Sequence, residues 1–172
     1  AHALILGEVA SSGLSRGRAL LCDCAKQAVV PRRRVAETEA QKELDRFDEA
    51  VFASEKKLLK VQENVRRNLG NSEAEIFEAQ ILIMRDAKLR STVRDLCFTE
   101  HINVEAAIDE AIKRLMALFE SIEDLYFRER AADLRDVGNR LLEHLAENPQ
   151  PSIAHLPDGC VLVTSDLLSS AV

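Results

Sequence analysis

Residues 44–65 read LDRFDEAVFASEKKLLKVQENV, and this stretch decides the fold class. One set of its apolar side chains recurs at intervals of 3, 4, 7, 3 and 4 residues: Leu44, Phe47, Val51, Leu58, Val61 and Val65. That spacing places all of them on one face of an α-helix. The stretch therefore predicts a long amphipathic helix that packs one face against other helices.

Helix-breaking residues are concentrated at the two ends of the chain. Pro31 is followed by no further proline until Pro149, and only Gly70 and Gly138 lie in that interval as glycines. Because proline and glycine end helices and mark turns, the middle of the chain is predicted to be helical and its two ends are not.

Four helices are predicted in this interval. The first contains residues 44–65 and ends before residue 68. The other three cover residues 72–99, 103–119 and 121–145. Ser72 and Glu75 form a capping-box pattern at the start of the second helix, and Asn103 is the predicted N-cap of the third. Short turns between amphipathic helices predict two antiparallel helical hairpins that pack on each other.

Short apolar runs at the ends predict strands at residues 3–10, 17–22 and 160–164. The fold class is therefore α with a partial α/β part, in which a four-helix subdomain (32–145) is inserted into an incomplete α/β subdomain (1–31 and 146–172). Residues 165–172 read as the beginning of a further helix. We therefore expect the chain to be a piece of a longer protein.

The composition of the chain argues against several classes of protein function. The chain has 172 residues, a net charge of −6 and a pI of about 5.3, which argues against a nucleic-acid binder and permits a basic partner. No apolar run reaches the roughly 18 residues of a membrane span. The four cysteines show no CxxC or metal-ligand spacing, so free thiols in a reducing cytoplasm are expected.

Residues that could perform chemistry are scattered. His2, His101, His144 and His155 adjoin no segment that would activate them, and neither a GxxxxGK[ST] nor a GxGxxG loop occurs. The carboxylates on the predicted helices are interpreted as solvated faces. Residues 32–34, which are three arginines, are interpreted as charges at a strand-to-helix junction. No catalytic residue and no metal ligand is assigned in this chain.

The densest polar segment is residues 126–142, YFRERAADLRDVGNRLL. A glycine inside a helix costs about 1 kcal/mol, so Gly138 indicates close packing against a neighbouring element. The segment resembles the ERAADxRDxGxRLL motif of Enzyme I, the phosphoenolpyruvate-protein phosphotransferase family. Two more stretches are similar to motifs of that family in the same order: residues 10–21 (ASSGLSRGRALL) to its opening strand pair and residues 76–86 (IFEAQILIMRD) to its IFEAHxxLLxD helix.

The resemblance implies a helical subdomain that docks the phosphocarrier protein HPr, inserted into an α/β subdomain bearing a phosphorylated histidine. In this family that histidine accepts phosphate from phosphoenolpyruvate, with Mg²⁺, and passes it to HPr. Its GGxTSH segment is expected beyond Val172, and the phosphoenolpyruvate and magnesium sites belong to a C-terminal barrel domain. The chain alone is therefore expected to be inactive and to bind no cofactor.

By motif match, the resemblance implies docking residues on the second and fourth helices: Gln80, Leu82, Ile83, Asp86, Leu89 and Arg130. Many members of the family have histidine at the position of Gln80, and some have an acidic cluster where this chain has Arg85 and Lys88. Fewer negative charges there would weaken docking of a basic carrier without abolishing it, because exposed ion pairs contribute only about 0–1 kcal/mol each.

Two other functions stay open at this point. One is the Enzyme I of the nitrogen-related regulatory branch, and the other is a stand-alone helical interaction module without phosphotransfer. The sugar, the HPr paralogue and the pathway do not follow from this sequence. We expect the chain itself to be a monomer, and its parent to be a cytoplasmic homodimer formed through the C-terminal domain.

Overall fold

The structure is a computed structural model that describes residues 12–21, 30–68, 70–146 and 159–163. In chain order its elements are the strand β1 (Arg18–Leu21), a 3-10 turn (Glu37–Glu39), the helices α1 (Ala40–Asn68), α2 (Asn71–Arg85), α3 (Ala87–Thr99), α4 (Val104–Glu120) and α5 (Leu125–Leu145), and the strand β2 (Cys160–Val163). The described part of the chain is thus mostly helical, with a small sheet of the two strands β1 and β2.

The two strands pair in parallel, with Arg18 opposite Cys160 and Leu21 opposite Val163. The helices α1 to α5 lie between these strands in the sequence. A Cβ atom on Gly17 would lie 2.3 Å from the carbonyl oxygen of Gly159, so this approach of the two backbones requires glycine. The strand predicted at residues 3–10 lies outside the described residues.

The second predicted helix is divided into α2 and α3, so the prediction of one continuous helix from residue 72 to 99 is wrong. Asp86 has an extended backbone (φ −61°, ψ 126°), and its side chain accepts hydrogen bonds from the backbone N–H groups of Lys88 and Leu89 at 2.8 and 2.9 Å. Asp86 is therefore the N-cap of α3. The capping box at Ser72 is also absent: α2 begins at Asn71, after Gly70 with φ 121°, and has no side-chain cap.

One apolar core joins the helices. α1 packs against α2, and α4 packs against both α5 and α3. The largest fully buried side chains of this core come from every helix: Phe47, Leu58, Met84, Leu89, Leu96, Ile108 and Leu141. Gly138 supports the close packing predicted for it, because a Cβ atom there would lie 3.0 Å from Cγ1 of Ile112 on α4.

A buried carboxylate ties the segment before α1 to the helices. The side chain of Glu43 on α1 accepts hydrogen bonds from Arg33 Nη2, Arg46 Nη1 and the backbone N–H of Val104, each at 2.8 Å. Val104 is the first residue of α4, so Glu43 satisfies a backbone donor that a helix N-terminus leaves without an intrahelical partner. One side chain thereby connects three parts of the fold.

Asn103 is the N-cap of α4, as predicted, but its side chain makes no cap bond. Its Oδ1 accepts from the backbone N–H of Arg33 at 2.8 Å, and its Nδ2 donates to the carbonyl of Pro31 at 2.8 Å and to the Glu105 carboxylate at 2.6 Å. Burial acts to raise the pKa of Glu105, but hydrogen bonds from Arg46 and Asn103 outweigh it, so the pKa is lowered. The whole cluster holds residues 31–35 against the loop that precedes α4.

Two of the three arginines at residues 32–34 form ion pairs with acidic residues of the helices and their loops. Arg32 forms ion pairs with Glu100 at 3.5 Å and with Glu110 at 3.9 Å. Arg33 pairs with Glu43 at 2.8 Å. These guanidinium groups are thus used within the fold.

Cys97 is expected to stay unmodified when the folded protein is treated with iodoacetamide at pH 8. Burial, and then the charges of Glu43 and Glu105, raises the pKa of its thiol to about 11. The reactive thiolate then makes up about one molecule in a thousand at that pH. Mass spectrometry of the alkylated peptides measures this against the half-buried Cys160. Equal alkylation rates at the two thiols would contradict the prediction.

Replacing His101 by glycine is expected to raise the free energy of unfolding by about 0.5–1 kcal/mol. His101 follows the C-terminus of α3 with φ 52°, a left-handed conformation that costs side chains with a Cβ about 1 kcal/mol. Urea unfolding measures the gain. His101→Ala is the matched control, because it removes the imidazole and keeps the Cβ; an equal gain from alanine would show that backbone strain is not the cause.

Candidate functional site

Helix α2 exposes part of the surface predicted to dock a partner. Leu82 is 61% exposed, Asp86 is exposed at the end of the helix, and Ile83 is half-buried against the core. Ile76, which the motif match did not include, is 54% exposed on the same helix. An apolar side chain that stays in water is a candidate contact for a partner when polar groups surround it.

Two of the predicted docking residues are buried in this structure, so their side chains do not form part of its exposed surface. Gln80 and Leu89 have no exposed surface. Nε2 of Gln80 donates to Oδ2 of Asp136 on α5 at 3.3 Å, and Leu89 lies in the core. The side-chain amide of Gln80 thus connects α2 to α5, a contact that the spacing of residues in the sequence does not show.

Arg130 on α5 is the predicted contact outside α2, and it is half-buried. Its Nη1 lies 3.3 Å from the Asp133 carboxylate. Arg130 precedes Asp136 by six residues, or about 9 Å along a helix, and Asp136 contacts Gln80. Arg130 therefore lies in the N-terminal half of α5, the helix that packs beside α2.

The carboxyl group next to Arg130 is partly withdrawn from water. Burial raises the pKa of Asp133, and the positive charge of Arg130 offsets only part of this effect. Asp136, one turn farther along α5, acts in the same direction as burial because it is also negatively charged. Arg130 thus lies at the edge of a partly buried polar cluster between α2 and α5.

The basic residues near Asp86 differ in how they are compensated. Arg85 forms an ion pair with Glu55 on α1, and Arg90 forms one with Asp48 on the same helix. Lys88 forms no ion pair within the part of the chain that the structure describes. Of these three basic residues, only Lys88 therefore presents a positive charge that no described acidic side chain pairs with.

The two histidines that the structure describes lie on different elements. His101 lies in the loop before α4 and His144 in the last turn of α5, while His2 and His155 lie outside the described residues. Within residues 12–21, 30–68, 70–146 and 159–163, no three His, Cys, Asp or Glu side chains form a group that could hold a metal ion. No residue here is assigned to the magnesium ion that the resemblance implies for a complete enzyme.

The same described residues include no helix that is both long enough and apolar enough to cross a lipid bilayer.

Comparison with known proteins decides the family. The family described as PEP-utilising enzyme, N-terminal, matches residues 6–130. The chain belongs to this family. Two relatives in the family, the phosphoenolpyruvate-protein phosphotransferases of Bacillus subtilis and Priestia megaterium, are each 34% identical to it, over 94% and 96% of the chain. The chain spans only 28% of the length of each of these relatives.

Two solved structures share the fold of this chain. A solution structure of Enzyme I superimposes with a TM-score of 0.74 and 28% identity, covering 94% of this chain and 64% of the other. The N-terminal domain of Enzyme 1 – Nitrogen superimposes with a TM-score of 0.67 over 86% of this chain and 71% of the other. Its identity is 21%, so that likeness bears on the fold alone.

Proposed function

We propose that this chain is the carrier-docking part of a phosphoenolpyruvate-protein phosphotransferase and that its partner is an HPr-type phosphocarrier. The complete enzyme would move a phosphoryl group from phosphoenolpyruvate to one of its own histidines and then to the carrier. This part would hold the carrier while that transfer takes place. The enzyme would act in the cytoplasm.

One observation supports the proposal most directly. In a chain of this family, Leu82 projects a largely exposed apolar side chain from α2, with the charged Asp86 at the C-cap of that helix and Arg130 on α5, which packs beside it. Small apolar centres with charged borders are typical of transient protein interfaces. The charges orient the partner and accelerate its association, and the apolar centre slows its dissociation.

The chemical steps are assigned to the complete enzyme. A bound magnesium ion would supply positive charge to phosphoenolpyruvate in the complete enzyme, and we propose no ligand for it among the residues of this chain. The histidine that takes the phosphoryl group is expected outside residues 1–172. The residues of this chain would contribute by positioning the carrier.

A titration tests the proposal. The isotope-labelled chain, with HPr added stepwise, should show amide shifts at Leu82, Ile83, Asp86 and around Arg130, with an affinity near micromolar, or about −8 kcal/mol. Shifts confined to other surfaces, or no shifts with any HPr of the source organism, would contradict docking through this site. Light scattering on the same samples measures whether the chain is a monomer, as we expect.

The titration also separates the sugar-transport branch from the nitrogen branch. We propose the sugar-transport assignment, and the sugar-type and nitrogen-type carriers should then bind with clearly different affinities in favour of the sugar type. A preference for the nitrogen-type carrier would assign the chain to the regulatory branch. If neither carrier binds, a helical interaction module without phosphotransfer becomes the better hypothesis.

A further inference from the structure

Helix α1 carries two large apolar side chains in water. Phe52 is 71% exposed and Leu59 is 44% exposed. They are seven residues apart, which is two helical turns, so both lie on one side of α1. This side is not the one that packs into the core, where Phe47, Val51 and Leu58 are buried.

An ion pair between α1 and α2 shows that Phe52 and Leu59 lie near the boundary between these two helices. Glu55 of α1 pairs with Arg85 of α2. Phe52 precedes Glu55 by three residues and Leu59 follows it by four, so both are its neighbours on the helix surface. Leu82 precedes Arg85 by three residues and is its neighbour on α2 in the same way. Three exposed apolar side chains thus flank one ion pair that crosses the boundary between the helices.

The register of the two helices agrees with this arrangement. Nε2 of Gln62 on α1 donates to the carbonyl oxygen of Ala74 on α2 at 3.4 Å. With Glu55 against Arg85, this contact makes the helices antiparallel, so one turn back along α2 corresponds to one turn forward along α1. Leu82 is therefore level with the part of α1 between Glu55 and Leu59. We call Phe52, Leu59 and Leu82 the seam patch.

Opposite charges border the seam patch. On α1, Lys56 and Lys60 are exposed, and on α2, Glu75 and Glu78 are exposed. None of the four forms an ion pair with another residue that the structure describes. A partner that covers the patch would bury apolar surface at its centre. It would also meet positive charge on one side and negative charge on the other.

The predicted docking site is small without this patch. A standard interface buries about 800 Å² on each partner and involves roughly 20–30 residues a side. Of the six residues that the motif match supplied, Gln80 and Leu89 are fully buried. Additional exposed surface next to Leu82 is therefore needed, and α1 provides it.

We propose that the phosphocarrier binds α1 as well as α2, with Phe52 and Leu59 contacting its apolar surface together with Leu82. The charged borders set its orientation: acidic groups of the carrier face Lys56 and Lys60, and basic groups face Glu75 and Glu78. This inference rests on the proposed function, since the partner is the same. It adds contact residues on α1 that the motif match did not supply.

The test compares matched variants in a calorimetric titration with HPr. Phe52→Ala combined with Leu59→Ala should weaken binding at least 10-fold. Leu118→Ala is the control, because Leu118 is 56% exposed on α4 and lies outside the patch; it should change the affinity less than 2-fold. All three positions are exposed, so circular dichroism and thermal unfolding of the variants should match those of the parent chain.

Charge reversals test the orientation. Lys56→Glu with Lys60→Glu should weaken binding about 3- to 10-fold at low salt, and Glu75→Lys with Glu78→Lys should do the same. Both effects should shrink at 0.5 M salt, where the Debye length falls below about 5 Å. Reversals that leave the affinity unchanged at low salt would overturn the proposed orientation.

The outcomes separate this inference from the proposed function. If Leu82→Asp abolishes binding and the double alanine variant at Phe52 and Leu59 binds as tightly as the parent chain, the inference about α1 is wrong and the proposed function stands. If HPr does not bind the unmodified chain, both are wrong. Loss of binding in the α1 variants, with an unaffected Leu118→Ala control, supports both.

Discussion

Replacing Glu43 by leucine is expected to lower the free energy of unfolding by about 3 kcal/mol. Glu43 is 5% exposed and accepts three hydrogen bonds, from Arg33, Arg46 and the backbone N–H of Val104. Leucine fills a similar volume but accepts none of them. A buried N–H that loses its partner costs about 1–3 kcal/mol, and the two charge-assisted bonds add to that loss.

The measurement is urea unfolding followed by circular dichroism, and Glu49→Leu is the matched control. Glu49 lies on the exposed side of the same helix and is part of no described ion pair, so its replacement should change stability by less than about 0.5 kcal/mol. Hydrogen exchange gives a second readout. The amides of Val35 and Asn103, which bond across the cluster to His101 and Arg33, should lose protection. Similar losses for the two variants would contradict a special role of Glu43.

Replacing Leu82 by aspartate is expected to weaken HPr binding at least 30-fold, which corresponds to about 2 kcal/mol. The side chain is 61% exposed, so the fold tolerates the change, whereas a carboxylate at the centre of the interface would have to lose its hydration on binding. Repulsion is not the reason, because a basic carrier would attract the new charge. The desolvation cost and the lost apolar contact outweigh that attraction.

Isothermal titration calorimetry with HPr measures this effect, and Leu118→Asp on α4 is the control. Both leucines are more than half exposed, so a general effect of an added negative charge would appear in both variants. Only Leu82→Asp should lose affinity. If the two variants bind alike, Leu82 is not at the centre of the interface.

The helical part of the fold was predictable because its apolar spacing repeats over many turns. The division at Asp86 was not, because the apolar spacing continues past it: Met84 before the break and Leu89 after it are both buried. What interrupts the helix is one carboxylate that bonds to the two backbone N–H groups of the next turn. A helix break caused by one capping side chain does not change the spacing of the apolar residues, so the spacing does not predict it.

The candidate site was predictable in outline but not in its side-chain positions. The motif match selected α2 and Arg130, yet it treated Gln80 and Leu89 as surface residues, and both are fully buried. Phe52 lies outside the apolar face predicted for α1, but the sequence does not show that its side chain stays exposed. Its exposure depends on which part of α1 is covered by α2, and that follows from tertiary packing, which a single sequence does not state.

The pairing of β1 with β2 has a consequence for the order of folding. Arg18 and Cys160 are 142 positions apart along the chain, and they become neighbours only when the sheet forms. Closing so long a loop is entropically expensive, whereas each helical hairpin closes a short one. The helices are therefore expected to assemble within the fast phase of refolding, and the strands to join last. By forming first, the helices would bring the two distant strand segments close together and so reduce the search that precedes their pairing.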